Sequence, residues 1–188
     1  MGISFEHTLD FAHFEHMEEL EATCYSREFI TPASEAYEWY RQRPHSIVAL
    51  LEEDRVIGFA NLLPIETALF EQILAGSFND AEMTWEDILP LPGEGLEPNT
   101  SFELFLSCIV LAPEWQGRGL ARTLLAKAAE PYSKAIQAGR CSRVIVDNVT
   151  ADGARLSERL GFQFVCESDH CSNIYEIGAH TFLGALSD

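Results

Sequence analysis

The chain has 188 residues, 47% of them hydrophobic, which is long and apolar enough for one domain with a sizeable core. No apolar run approaches the roughly 18 residues needed to span a membrane as a helix. The net charge of −18, without basic patches interleaved with aromatic residues, argues against a nucleic-acid-binding protein.

The first part of the chain predicts two helices and a pair of strands. Phe14, Met17 and Leu20 recur at helical spacing, and Thr31 followed by Pro32 is typical of the start of a second helix. The predicted elements are a strand over residues 3–7, a helix over 10–25, a helix from 32 to 43, and strands over 46–52 and 56–63.

A long connection, residues 65–100, follows these strands. It starts with a predicted helix over 67–75 that ends at Gly76, and continues as an acidic segment rich in proline and glycine. Trp85 and Ile88 indicate that the segment packs in part against the rest of the protein. We interpret it as an insertion that lines a substrate pocket or forms an oligomer contact.

The acidic charge is uneven along the chain. Residues 1–100 carry 4 Lys and Arg against 20 Asp and Glu, whereas residues 101–188 carry 8 against 10. The acidic half would attract a cation, and four residues of the insertion are candidates for this: Asp80, Glu82, Glu86 and Asp87. The alternative is that the acidity only keeps the protein soluble.

The second half alternates strands and helices, which predicts an α/β fold with a mixed sheet and helices on both of its faces. Pro131 should kink or split the long helix. The predicted elements are a strand over 101–111, a helix over 120–139, a strand over 142–148, a helix over 151–160, and strands over 162–167 and 173–179.

A glycine-rich loop lies between the strand over 101–111 and the helix that starts near Leu120. Gly117 and Gly119 lack the Cβ atoms that would keep an anion away from backbone N–H groups. The first turn of the helix adds unpaired N–H groups and the positive end of its dipole. The loop is therefore a candidate phosphate or pyrophosphate site, with a tight structural turn as the alternative.

Two motifs in this half resemble the GNAT acyltransferase superfamily. Residues 116–121, Gln-Gly-Arg-Gly-Leu-Ala, fit its coenzyme A motif Q/R-x-x-G-x-G/A, and residues 154–162 resemble its late helix ending in Leu-Gly-Phe. The P-loop and dinucleotide-binding glycine patterns are both absent from the sequence. The resemblance implies a single GNAT-like domain over residues 1–188 with a mixed, mostly antiparallel central sheet.

The resemblance also implies a set of site residues. Glu103 is a candidate base, and Ser157 stands where many members carry a tyrosine that protonates the leaving thiolate. The implied cofactor-binding residues are Ile109, Val110, Leu111, Gln116, Gly117, Arg118, Gly119, Leu120, Ala121 and Asn148.

The implied activity is transfer of an acetyl group from acetyl-CoA to a primary amine of a small molecule or protein by direct attack. The alternative is a coenzyme A-binding sensor or partner-binding module without catalysis, which the serine at 157 permits. We expect a cytoplasmic protein, because the five scattered cysteines form no C-x-x-C pair and the N-terminal residues do not resemble a secretory signal. A homodimer is a further possible partner state, in line with the oligomer contact considered for the insertion. No metal site is predicted, since His13 and His16 lack further ligands.

Overall fold

Apolar runs throughout the chain form the strands of a central sheet. The computed structural model describes residues 2–79 and 82–187. The strands are β1 (Ile3–Glu6), β2 (Ile47–Glu52), β3 (Arg55–Ile65), β4 (Phe102–Leu111), β5 (Cys141–Asn148), β6 (Gln163–Glu167) and β7 (Asn173–Gly178). They lie in the order β1-β2-β3-β4-β5-β7-β6 and all pairs are antiparallel except β4 with β5. The predicted mixed, mostly antiparallel sheet is confirmed.

Helices connect most of these strands. They are α1 (Phe11–Glu21), α2 (Ala33–Gln42), α3 (Thr67–Leu74), α4 (Leu120–Ala129), α5 (Ser133–Gln137), α6 (Ala151–Arg159) and α7 (Ala179–Ser187). The helix predicted over 120–139 is split into α4 and α5 by a 3-10 turn at Glu130–Tyr132. Pro131 lies in that turn, where its missing N–H removes a helical hydrogen bond.

Helix α7 follows β7 in a region where the sequence predicts no further element. The helix has only nine residues and includes Gly184, so its local signal is weak. It forms because Phe182 and Leu186 are buried on its inner side, and the Phe182 ring lies 5.8 Å from that of Phe162. Tertiary packing therefore determines this helix.

The central strands are buried on both faces, as their continuous apolar sequences require. One face packs against α3 through a cluster that includes Leu63, Phe70, Ile73, Phe105 and Ile145. On the other face the Tyr132 hydroxyl donates a hydrogen bond of 3.1 Å to the carbonyl oxygen of Leu62. The predicted placement of helices on both faces is confirmed.

A β-bulge lies in the middle of β4, at the point where its pairing with β5 ends. Asn61 of β3 lies opposite Cys108, but the next residue of β3 lies opposite Leu106, so Ser107 is an extra residue on β4. On its other side, β4 pairs with β5 only as far as Leu106 opposite Val146. Beyond that point the two strands diverge and leave a gap.

The insertion between β3 and β4 packs against the rest of the protein over much of its described length. Met83 and Ile88 are buried in the same cluster as α3. Leu89 N–H donates to the carbonyl oxygen of Pro64 at 2.8 Å, and Arg43 Nε donates to that of Ile88 at 2.7 Å. The predicted partial packing of this segment is confirmed at these residues.

Two features typical of other protein classes are absent from the described residues. No helix among them is both long and apolar enough to cross a membrane. No group of three or more His, Cys, Asp or Glu side chains in residues 2–79 and 82–187 could hold a metal ion. The five cysteines are all in the free thiol form.

The Tyr132 hydrogen bond gives a test of the fold. We expect Tyr132→Phe to lower the free energy of unfolding by about 1 kcal/mol, because it removes one buried hydrogen bond to a β3 carbonyl. The measurement is the urea midpoint at a constant m-value. Tyr37→Phe is the matched control, since the Tyr37 hydroxyl makes no hydrogen bond to the described residues, and equal midpoints for both variants would contradict the expectation.

Candidate active site

The gap between β4 and β5 opens into a cleft with a volume of about 870 Å³. One end is lined by the glycine loop before α4 and by residues of α6. The other end runs under α1 and α2 and reaches the insertion at Met83 and Ile88. The cleft is thus one continuous space that joins a loop suited to anions to an apolar chamber.

The loop at the first end has the geometry of an anion cradle. Gly117 and Gly119 have positive φ angles of 72° and 78°, which disfavour side chains, and a Cβ atom at either position would meet no heavy atom within 4 Å. Within the described residues, the N–H groups of Gly117, Arg118 and Gly119 donate to no protein acceptor. Because α4 begins directly after Gly119, its first-turn N–H groups extend the same cradle.

Positive side chains lie next to this loop. The Arg118 guanidinium is stacked over the ring of Trp115 at 4.7 Å from its centroid. Arg122, Arg155 and Arg159 line the same end of the cleft, and Arg155 is paired with Asp152 at the start of α6. The region therefore combines backbone donors with cations, which is the combination that binds phosphate groups.

The end of β4 presents an unpaired edge to the cleft. Ala112 N–H donates to the carbonyl oxygen of Ile57 at 2.8 Å. Because groups along an antiparallel strand alternate in direction, the N–H and C=O of Val110 face β3, whereas those of Ile109 and Leu111 face the gap. Such an edge can pair with an extended ligand as a further strand would.

Two protein side chains already contact this edge. The Tyr25 hydroxyl donates to the carbonyl oxygen of Ile109 at 3.2 Å, and Gln116 Nε2 donates to that of Leu111 at 3.0 Å. Gln116 thus fixes the start of the glycine loop against the end of β4. These contacts bring two groups of predicted cofactor residues together at one end of the cleft. The first is Ile109, Val110 and Leu111 of β4, and the second is the loop over residues 116–121.

Asn148 lies across the gap at the end of β5. Its Nδ2 donates to Ser157 Oγ at 2.9 Å, and both side chains are buried. Its Oδ1 would lie 2.7 Å from a Cβ atom on Gly153, so only glycine at that position of α6 leaves room for this arrangement. Asn148 lines the cleft, whereas Ser157 is not among the described residues that do. The serine thus positions the asparagine.

Glu103 is held at the opposite end of β4. Its carboxylate accepts hydrogen bonds from the N–H and hydroxyl of Ser142 at 3.1 and 2.8 Å, and from Arg143 N–H at 2.7 Å. These bonds connect the first residues of β4 and β5. Glu103 is absent from the described residues that line the cleft, so the structure does not bring this predicted base to the other site residues.

The acidic residues of the insertion also lie away from the cleft walls. Glu82, Glu86 and Asp87 are not among the described residues that line it, and Asp87 instead accepts a 2.8 Å bond from Thr84 N–H. Asp80 lies outside the described residues. Attraction of a cation by this group over a longer range stays a prediction.

A buried carboxyl that the sequence analysis does not select lies in the middle of the cleft. Glu21, at the end of α1, is only 8% exposed, and its Oε1 is 3.5 Å from Cys108 Sγ. Burial raises the pKa of Glu21 to about 7 and that of the Cys108 thiol well above its ordinary value. A signal was present in the sequence, since Glu21 follows Phe14 and Met17 by seven and four residues and therefore lies on the buried side of α1.

Comparison with solved structures shows the same fold in other proteins, two of them in complex with coenzyme A or an acyl-coenzyme A. The loading GNATL domain of CurA from Lyngbya majuscula aligns with a TM-score of 0.63 at 15% identity, covering 95% of this chain and 98% of that chain. The GphF GNAT-like decarboxylase in complex with isobutyryl-CoA gives 0.62 at 15%, covering 95% and 99%. The PaiA N-acetyltransferase from Thermoplasma acidophilum in complex with coenzyme A gives 0.51 at 18%, covering 95% and 99%.

Sequence comparison identifies the family directly. A search of curated protein sequences finds no significant match. The profile described as the acetyltransferase (GNAT) family matches residues 14–162, which is most of the chain and includes the glycine loop, the diverging strands and helix α6. The chain belongs to the GNAT acetyltransferase family.

Proposed function

We propose that this protein is an N-acyltransferase that transfers an acetyl group from acetyl-CoA to a primary amine by direct attack. The observation that carries the proposal is the continuity of the cleft. It runs from the N–H cradle at Gly117 and Gly119, along the unpaired edge of β4, into the chamber under α1. A bound thioester would have room for a second substrate beyond its reactive end.

Successive parts of the cleft would bind successive parts of acetyl-CoA. The loop residues 116–121 and the first turn of α4 would bind the pyrophosphate through N–H groups. The N–H groups of Ile109 and Leu111 would align the pantetheine arm along β4. When bound, acetyl-CoA supplies an activated acyl group, and the protein's part is to hold it and an amine in reactive geometry.

A non-catalytic coenzyme A-binding module is the second candidate. Ser157 favours it, because its hydroxyl is engaged by Asn148 Nδ2 and does not line the cleft, so no protein acid stands ready at that position for the leaving thiolate. In an enzyme, water entering through the open cleft would supply this proton. Incubation with acetyl-CoA and a panel of primary amines, read as release of free thiol, separates the candidates. Tight coenzyme A binding without amine-dependent thiol release would leave only the binding module.

The glycine loop gives the first test of the site. We expect Gly119→Asp to weaken coenzyme A binding by about 3 kcal/mol, or roughly a hundredfold, because it places a side chain and a negative charge where phosphates would lie. Isothermal titration calorimetry measures this directly. Gly139→Asp is the matched control, since Gly139 also has a positive φ angle, 71°, and open space at its Cβ position. Equal affinities in the two variants would exclude the loop as the site.

Ser157 gives a second test. We expect Ser157→Ala to keep kcat within about tenfold of the wild type, since water can protonate the thiolate. The same change leaves buried Asn148 Nδ2 without its acceptor, which lowers the free energy of unfolding by about 1–3 kcal/mol. Combination with Asn148→Ala in a double-mutant cycle checks that the loss belongs to this pair. A thousandfold fall in kcat with intact coenzyme A binding would instead make Ser157 the proton donor.

Glu103 gives a third test. We expect Glu103→Gln to lower the free energy of unfolding by about 1.5–3 kcal/mol, because it removes the charge from the buried carboxylate that accepts the hydrogen bonds of Ser142 and Arg143. Its kcat should remain that of the wild type in the folded fraction. The matched control is Glu71→Gln, which removes an exposed partner of the same Arg143 and should cost at most about 1 kcal/mol. A large loss of kcat at unchanged stability would restore Glu103 as the base.

A further inference from the structure

We propose that Glu21 and Asn61 together bind the protonated amino group of the acceptor, that Glu21 takes up its first proton, and that the rest of the acceptor is an apolar body. The proposal rests on the proposed N-acyltransferase activity and assigns its acceptor class. It is carried by three features of the described residues: a side-chain cluster at the bulge of β4, buried acceptors in that cluster without a strong donor, and an apolar chamber beside it.

The sheet register places the cluster. Asn61 of β3 is directly opposite Cys108 of β4, and opposite residues in antiparallel strands point to the same face with Cβ atoms about 5 Å apart. Cys108 Sγ in turn lies 3.5 Å from Glu21 Oε1. Glu21, Cys108 and Asn61 therefore lie next to one another on the face covered by α1. All three line the cleft.

Two buried acceptors of this cluster lack a strong hydrogen-bond donor. Asn61 Oδ1 is buried and has no hydrogen-bond partner. The Glu21 carboxylate receives only the weak thiol donor of Cys108, and the Tyr25 hydroxyl is directed to the carbonyl oxygen of Ile109. Buried acceptors without donors are rare in proteins and call for an explanation. An alkylammonium group supplies three N–H donors and a positive charge.

No cation within the described residues balances Glu21. The titratable groups that face it are Cys108 from β4, Glu18 on α1 and Tyr25 on the segment after α1, and Cys24 lies near Tyr25 and Cys108. None of these side chains can carry a positive charge. Because burial raises the pKa of Glu21 to about 7, the carboxyl is protonated below that pH and ionised above it. A cationic ligand would stabilise the ionised form and lower this pKa.

The chamber beyond the cluster defines the rest of the acceptor. Its walls come from the segment after α1, from α2 and from the insertion, and they include Phe29, Trp39, Tyr40, Met83 and Ile88. Aromatic and sulfur-containing side chains suit an apolar body attached to a cation, through burial and through cation–π contact. The chemical class is therefore an alkylamine whose ammonium group is attached to an apolar or aromatic body.

The proposed step balances in atoms and electrons. The ammonium nitrogen gives one proton to the Glu21 carboxylate, and the nitrogen lone pair forms the C–N bond to the thioester carbonyl carbon. The C–S bond breaks with its electron pair on sulfur, and the second nitrogen proton passes to that sulfur to give the coenzyme A thiol. Glu21 then releases its proton to solvent. Once the amine has given up its proton, no positive charge faces Glu21, and burial then favours the protonated carboxyl.

The kinetic test uses 2-phenylethylamine as the acceptor at saturating acetyl-CoA. We expect kcat/KM of the wild type to rise with pH through about 7, because the free enzyme must have Glu21 ionised. Glu21→Gln should lower kcat/KM at least about a hundredfold at high pH and abolish this rise, with unchanged acetyl-CoA affinity. Glu19→Gln, on the exposed side of the same helix, is the matched control and should behave as the wild type. A Glu21→Gln variant with wild-type kcat/KM and pH profile overturns the proposal.

Asn61→Leu separates binding from structural support. Because Asn61 Oδ1 has no partner, the leucine variant should melt at the same or a higher temperature than the wild type while KM for the amine rises several-fold. A lower melting temperature with unchanged KM would make Asn61 a structural residue and would overturn its assignment.

A carboxyl titration followed by 13C NMR tests the site without turnover. The Glu21 signal, identified by its absence in Glu21→Gln, should titrate near pH 7 in the free protein and at clearly lower pH with 2-phenylethylamine present. An unchanged titration overturns the proposal. So does a titration that returns to its free-protein position when isobutyryl-CoA, but not acetyl-CoA, is added, because the chamber would then hold the acyl chain and not the amine. If the wild type releases no thiol with any amine although the amine shifts this titration, the proposed catalytic function fails and the amine site stands.

Discussion

The divergence of β4 and β5 is the constraint on which the rest of the site depends. Pairing stops at Leu106 opposite Val146, and Ser107 is left as an extra residue where β4 meets β3. A bulge bends a strand and increases its twist, which turns the last residues of β4 away from β5. The sheet gives up several backbone hydrogen bonds there, and only a ligand with its own N–H and C=O groups can replace them in full.

The same bulge places Cys108 and Asn61 under α1, where Glu21 is buried at an energetic cost. A rise in the Glu21 pKa from 4.5 to about 7 means that the folded protein loses roughly 3 kcal/mol of stability from this group as the pH rises through that range. The sign follows because the folded state binds the proton more tightly than the unfolded chain does. A carboxyl kept at this cost, without a cation among the described residues, is the pattern expected of a binding or catalytic group.

Much of the fold was predictable because it follows from local patterns. The apolar runs of β3, β4 and β5, the glycine loop before α4 and the break at Pro131 are each encoded within a few neighbouring residues. Helix α7 was not predictable in this way, since its formation depends on packing against distant elements. The conformation of the 116–121 loop was also predictable, because the positive φ angles at Gly117 and Gly119 depend on the glycines themselves.

The middle of the cleft was harder to predict because it depends on register. Glu21 and Cys108 are 87 residues apart, and nothing local indicates that a bulge at Ser107 brings them within 3.5 Å. For Glu103, membership of the same strand as other site residues was a misleading guide to its position. It does lie on β4, but it precedes Ala112 by nine positions, and its carboxylate joins β4 to β5 at Ser142 and Arg143.

The contacts of Tyr25 link the unpaired edge of β4 to the cluster around Glu21. Its hydroxyl donates to the carbonyl oxygen of Ile109 on the unpaired edge and lies 4.0 Å from Cys108 Sγ, beside Glu21. An extended ligand that pairs with both the N–H and the C=O of Ile109 must replace this bond, whereas a ligand that uses only the N–H leaves it intact. In the first case the Tyr25 hydroxyl becomes available as a donor beside Glu21, so occupation of the β4 edge changes the hydrogen-bonding capacity of the acceptor end. A ligand that replaces this bond would therefore couple the β4 edge to the Glu21 cluster through a single side chain that touches both.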